Sequence, residues 1–145
     1  LEEVRFDSPE VQDALDGRRY LYHEAQSMLD QLALDLAKEN YDGVVQRLEG
    51  PPLTAHVQAI QNDIVTLRTD RGSLSLPLDS ISPETLVEMA QKYASAVTDS
   101  TDYYLRKERI AVFARVAGLQ DLSSTLAAEL MEENRGFRQR WLRVL

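Results

Sequence analysis

The chain has 145 residues, no cysteine, 43% hydrophobic and 28% charged side chains, and a formal net charge of −8 at neutral pH. That length and balance fit one globular domain able to bury its own core, and the missing cysteines exclude disulfides, thiolate metal sites and a cysteine nucleophile. Residues 1–50 carry twelve acidic against five basic side chains, a front that repels phosphate and weighs against nucleic acid as main partner.

The first residues hold a helix cap, Asp7-Ser8-Pro9-Glu10, with Val11, Ala14 and Leu15 at helical spacing. This predicts a short helix ended by Gly17. Leu21, Ala25, Met28, Leu29, Leu32 and Leu36 then recur at three- and four-residue steps, the stripe of an amphipathic helix through Lys38. Asn40-Tyr41-Asp42-Gly43 breaks the pattern, and Val44, Val45 and Leu48 read as a second, shorter helix before Gly50-Pro51-Pro52. Residues 18–49 are therefore expected to form a helical hairpin.

From His56 the period changes. His56-Val57-Gln58-Ala59-Ile60, Ile64-Val65-Thr66-Leu67-Arg68-Thr69 and Leu74-Ser75-Leu76-Pro77-Leu78 are separated by Gln61-Asn62-Asp63 and Asp70-Arg71-Gly72-Ser73. Alternation places Val65 and Leu67, and Leu74, Leu76 and Leu78, on core-facing sides, and the breaks carry residues that tolerate turns. The reading is a three-stranded antiparallel meander over residues 55–78, with Pro77 at an edge because it cannot donate to a ladder. Ser82-Pro83-Glu84 then starts a helix, since a hydroxyl, a proline and an acid suit its first positions.

Residues 83–145 read as helices. Leu86, Val87, Met89, Ala90, Tyr93, Ala94 and Val97 form one apolar face; Asp99 to Asp102 is rich in capping side chains. Tyr103, Leu105, Ile110, Val112, Phe113 and Val116 form the next, stopped by Gly118; Leu122, Leu126, Ala127, Leu130 and Met131 follow. Asn134-Arg135-Gly136 interrupts, and Phe137, Trp141 and Leu145 align on a last amphipathic helix. The fold class expected is mainly α (α+β), with helical hairpins flanking the small meander in one domain.

The stretch Tyr104…Ile110-Ala111-Val112-Phe113-Ala114…Gly118-Leu119-Gln120-Asp121-Leu122…Leu126-Ala127-Ala128-Glu129-Leu130 resembles a tetratricopeptide-type unit, in which a first helix ends in small residues before a second. Tyr41-Asp42-Gly43-Val44-Val45 resembles the break between two such helices. The family's proline at the unit end is missing, and no repeat of about 34 residues links the two regions. Ile64 to Ser82 is similar to the small β-segment of Sla1-homology-type pieces in large bacterial multidomain proteins. Both resemblances imply interaction rather than chemistry.

Candidate chemistry is sparse. His23 has Ser27 four residues on, where a second zinc ligand would stand, and His56 opens a strand. No G-x-S-x-G turn accompanies either histidine, and the glycines are isolated, as turns require, rather than gathered into a phosphate-binding loop. Glu129, Glu132 and Glu133 are acids near a helix end without histidine, and Asp99-Ser100-Thr101-Asp102 lacks the spacing of a calcium loop. The most suggestive cluster is Arg135, Arg138, Arg140 and Arg143 interleaved with Phe137 and Trp141. Arginines beside exposed aromatics stack on bases or sit at membrane surfaces. On one helix the same residues give an apolar anchor flanked by solvated charge.

No apolar run reaches the roughly 18–20 residues of a membrane span. The opening Leu1 and the apolar ending Trp141-Leu142-Arg143-Val144-Leu145 read as those of a segment from a longer polypeptide. The function expected is a non-catalytic protein-interaction or scaffolding module without cofactor or metal. Its partner would be another protein or a neighbouring domain, with Arg135, Arg138, Arg140, Trp141 and Arg143 as candidate contacts. Nucleic-acid or membrane-surface binding through those residues is the alternative, with a small hydrolase or metal enzyme behind it. Localisation stays open, a cytoplasmic setting being the default.

Overall fold

The structure, a computed structural model, describes residues 9–144. Its first element, α1 (Pro9–Lys38), is one helix of 30 residues, about 45 Å long at 1.5 Å per residue. The cap at Asp7-Ser8 lies outside the described residues, and the expected stop at Gly17 does not occur. An interior glycine costs a helix only about 1 kcal/mol relative to alanine, and packing offsets that here. A Cβ on Gly17 would stand 3.1 Å from Val144 Cγ1, so the bare backbone lets the last helix lie against the first.

Residues 18–49 do not form the expected helical hairpin. After α1 the chain enters strand β1 (Tyr41–Val45), and the break that resembled a turn between helices is itself extended. Tyr41, Gly43 and Val45 face one way, opposite Val57, Ala55 and Leu53 of β2 (Leu53–Gln61). Tyrosine and paired valines favour strands; Leu48, three and four residues beyond the valines, is what mimicked a helical period.

The sheet therefore has four antiparallel strands, not three, in the order β1-β2-β3-β4, with β3 at Ile64–Thr69 and β4 at Gly72–Pro77. Asn62 and Asp63 both take positive φ, 52° and 61°, the backbone of a tight hairpin turn whose twist matches the strands. A register shift between Val57 and Ala59 leaves Gln58 unpaired, yet keeps Val57 opposite Leu67 and Ile60 opposite Val65. Ala55, Val57, Val65 and Leu67 enter the core.

Pro77 stands on an edge strand, as its missing N–H requires. The expectation that Leu74, Leu76 and Leu78 are core residues needs correction: Leu74 is exposed, and the other two are half-buried. Helix α1 packs on β2, whereas β4 rests chiefly against β3, so alternation in β4 continues past the covered part of the sheet.

A single 3₁₀ turn (Leu78–Ser80) leads to α2 (Pro83–Ser95), which begins at the expected proline. Ser82 N–H donates to Gln46 O at 2.8 Å, and Gln46 N–H donates to Thr85 Oγ1 at 3.0 Å, tying the chain after β1 to this helix start. Helix α3 (Ser100–Val116) is capped by Asp99, whose carboxylate accepts from Asp102 N at 2.9 Å. Gly118, at φ 84°, turns the chain into α4 (Gln120–Glu133), and this second helical hairpin forms as the sequence implies. Ser123 Oγ fastens it by donating to Ala111 O at 3.1 Å. Asn134 accepts from Phe137 N at 3.0 Å and so caps α5 (Arg135–Val144).

The class is α+β. One core runs through the molecule: α3 packs against α1, α2 and α4, and α1 bridges to the sheet and to α5. Packed from three sides, α3 buries Glu108 and every residue from Ile110 to Ala114.

Candidate functional site

All four C-terminal arginines are exposed, but two of them are engaged in ion pairs and the aromatics between them are buried. Trp141 keeps only 4% of its surface exposed and stacks on Phe137 with ring centroids 5.4 Å apart. The Arg115 guanidinium lies 5.3 Å from the indole centroid, a cation–π contact, and also donates to Val144 O. Arg140 is committed to Glu108, giving one bond at 3.0 Å from Nε and a second from its terminal nitrogen. Arg143 lies 3.8 Å from Asp13. Arg135 and Arg138 are exposed, with no ion-pair partner among the described residues. Trp141 is thus an anchor of α5, and Leu145, expected on the same face, lies outside the described residues.

Glu108 belongs to a polar seam between α1 and α3. Tyr20 Oη donates to Glu108 at 2.9 Å. Burial, then the neighbouring carboxylate, pushes the tyrosine pKa well above its ordinary value, while hydrogen bonding to Glu108 raises that of Arg140. Farther along, Arg109 lies 3.5 Å from Glu24, and Arg106 reaches Asp35 at 2.7 Å and Asp102 at 3.3 Å. On α1, Tyr20, Glu24, Gln31 and Asp35 stand on the side of the Leu32 and Leu36 stripe that meets α3. Buried charge costs desolvation unless paired; here each acid has its cation, so the seam fixes how the two helices meet.

The outer face of the sheet holds the second polar group. His56 Nδ1 faces Asp42 Oδ1 at 2.5 Å and Nε2 meets Asn40 at 2.9 Å. With its amide oxygen accepting from His56, Asn40 donates to Leu36 O at 3.0 Å and Gln58 O at 3.3 Å. The imidazole thus pins the end of α1 to β1 and β2, and a ring held at both nitrogens has neither left for substrate or metal. The cleft beside it, about 680 Å³, is lined by Pro51, Thr54, Arg68 and Arg71 and is wide open. His23 is exposed on α1 beside Glu24. Among the described residues no group of three or more histidine or acidic side chains is placed to hold a metal ion.

The third feature is apolar. Where the sheet meets the helices, Leu29, Leu48, Ile64, Leu78, Leu86 and Phe113 line a groove of about 490 Å³. Leu48 is 64% exposed and Ile64 41%. Each arrives from a different element: α1, the segment after β1, the start of β3, the 3₁₀ turn, α2 and α3. The groove's position follows from the turn at Asn62-Asp63, where Leu78 N–H donates to Asp63 O at 2.8 Å, closing one end of the sheet. Among the described residues, the only charged ones lining it are Asp63 and Asp79. Sequence reading missed it, because these residues recur at no common period. Leu48, its most exposed apolar wall, carried no separate signal, because in sequence it falls with Val44 and Val45 on a helical period.

Comparison of the chain with family profiles, with curated proteins and with solved structures finds no match. No helix of the described residues is long and apolar enough to cross a membrane.

Proposed function

We propose that this chain is a non-catalytic protein-interaction module, of the scaffolding kind found within larger multidomain proteins. The observation that carries this reading is the apolar groove where the sheet meets the helices. Contiguous apolar surface left facing water costs free energy, and where a fold retains it, another surface commonly covers it. A groove of this volume falls within the range that accepts a ligand-sized group or the apolar side chains of a docked segment. Its walls come from six elements held by one core, so it is formed before anything enters it. The closed hydrogen bonding of His56 and the pairing of Glu108 support the same reading, because both groups are spent on holding the fold.

The test is selection from a random peptide display library, with Leu48→Asp and Ile64→Lys as counter-targets. Both side chains are exposed, and substitutions at such positions change stability by about 0.5 kcal/mol or less; circular dichroism confirms that the variants remain folded. Peptides that bind the parent chain and lose binding to both variants are the expected result. A selection that enriches nothing, or peptides that bind all three proteins alike, would overturn the reading.

A further inference from the structure

We infer that the occupant of the apolar groove is a protein segment whose apolar side chains are flanked by lysine or arginine. This rests on the docking reading above and adds the partner's chemistry. The floor is hydrocarbon, from Leu29, Leu78 and Phe113, with Leu48 and Ile64 at the mouth. Among the described residues every charge lining it is negative: Asp63 at the β2–β3 turn and Asp79 in the 3₁₀ turn, both exposed. Along the chain, Glu49 after Leu48 and Glu84 after Pro83 adjoin lining residues, as does Arg47 before Leu48, whose guanidinium is engaged with Pro51 O at 2.9 and 3.2 Å. Ser82 Oγ donates to Glu84 Oε2 at 2.6 Å, and that bond lowers the carboxyl below the usual range.

An apolar floor inside an acidic rim selects on two counts. Apolar contact supplies attraction without direction, while the rim steers cations in and turns anions away. An acidic amphipathic segment would bring like charges together as it docked. An anionic membrane and a nucleic acid would meet the same repulsion, so the rim argues for protein over either. The chain's net charge of −8 extends that preference beyond the groove.

The experiment uses three amphipathic peptides of equal length, built from leucine with lysine, with glutamate or with glutamine, titrated into the isotope-labelled chain. The leucine–lysine peptide is expected to shift the Leu48 and Ile64 methyl resonances. It should bind on the order of tenfold tighter than the leucine–glutamate peptide, a preference that added salt erodes. Asp63→Lys/Asp79→Lys should reverse the order of the two charged peptides, and Leu48→Ser should weaken all three. Equal binding of the three peptides at Leu48 and Ile64 would overturn the basic partner and leave the docking groove standing. Shifts away from Leu48 and Ile64, or no binding by any peptide, would overturn both. Co-sedimentation with phosphatidylserine vesicles that Leu48→Ser abolishes would overturn the protein partner in favour of a lipid surface. Concentration-dependent self-association that Leu48→Ser abolishes would replace it with a second copy of this chain.

Discussion

Replacing Arg140 with alanine puts the polar seam to a quantitative test. Glu108 is 5% exposed and accepts from Tyr20 Oη and from two nitrogens of Arg140. Hydrogen bonds to charged groups contribute about 1.5–3 kcal/mol, and removing one partner of a buried pair costs about 3–5 kcal/mol. The Arg140 side chain is 46% exposed, so water enters the vacated space and rehydrates part of the carboxylate. That places Arg140→Ala in the lower part of the range, about 2–3 kcal/mol. Glu108→Gln should cost less, about 1 kcal/mol, because the amide can donate to Tyr20 and still accept from Arg140. Urea denaturation of Glu108→Ala, Arg140→Ala and the double variant closes a cycle whose expected coupling is about 2 kcal/mol. Arg138→Ala, two residues earlier on α5, exposed and without an ion-pair partner among the described residues, should change stability by about 0.5 kcal/mol or less. Strict additivity in the cycle, or equal losses for Arg138→Ala and Arg140→Ala, would refute the seam as a determinant of stability.

Leu67→Ala is expected to cost about 2–5 kcal/mol and its neighbour Arg68→Ala about 0.5 or less, since Leu67 has no exposed surface and Arg68 faces water; equal shifts of the urea midpoint would contradict the register. Tyr93 donates its hydroxyl to Glu39 O, and burial, then Glu39, pushes its pKa from 10.0 up to about 12. The folded state holds this proton more tightly than the unfolded one, so the stability it contributes is complete below pH 10 and is lost as pH rises towards 12. Tyr93→Phe should flatten that alkaline decline in a series of denaturation curves; an unchanged slope would contradict it. Trp141 should emit at short wavelength in the native chain, resist a soluble quencher and shift to the red on unfolding, with no response to single-stranded nucleic acid at low salt.

Much of the fold was legible because it rests on local periods. The α1 stripe, the alternation of Val65 and Leu67, the turn at Asn62-Asp63 and the start at Pro83 each show in a few consecutive residues. The failures share a physical cause. Gly17 reads as a stop until Val144 is seen above it, and that contact joins residues far apart in sequence. Tyr41–Val45 is too short for its period to be told from that of a helix, and only pairing with β2 decides it. That Arg140 of α5 is bound to Glu108 was not legible either, because the two stand 32 residues apart in sequence. The groove was the least legible feature, as its walls come from six places along the chain.

The long first helix also has a consequence for the order in which this molecule can be completed. The chain is made from its N-terminus, yet α1 meets its neighbours in the reverse of a local scheme. The sheet reaches it first, α3 later, and the far end around Asp13, Gly17 and Tyr20 meets Val144, Arg140 and Arg143 only after the more than 100 residues between them have been synthesised. Closing so long a loop is slow compared with forming neighbouring contacts. The first turns of α1 therefore wait, helical or not, for a seat that the last helix supplies. Among the described elements, the one made first is the one whose docking finishes last.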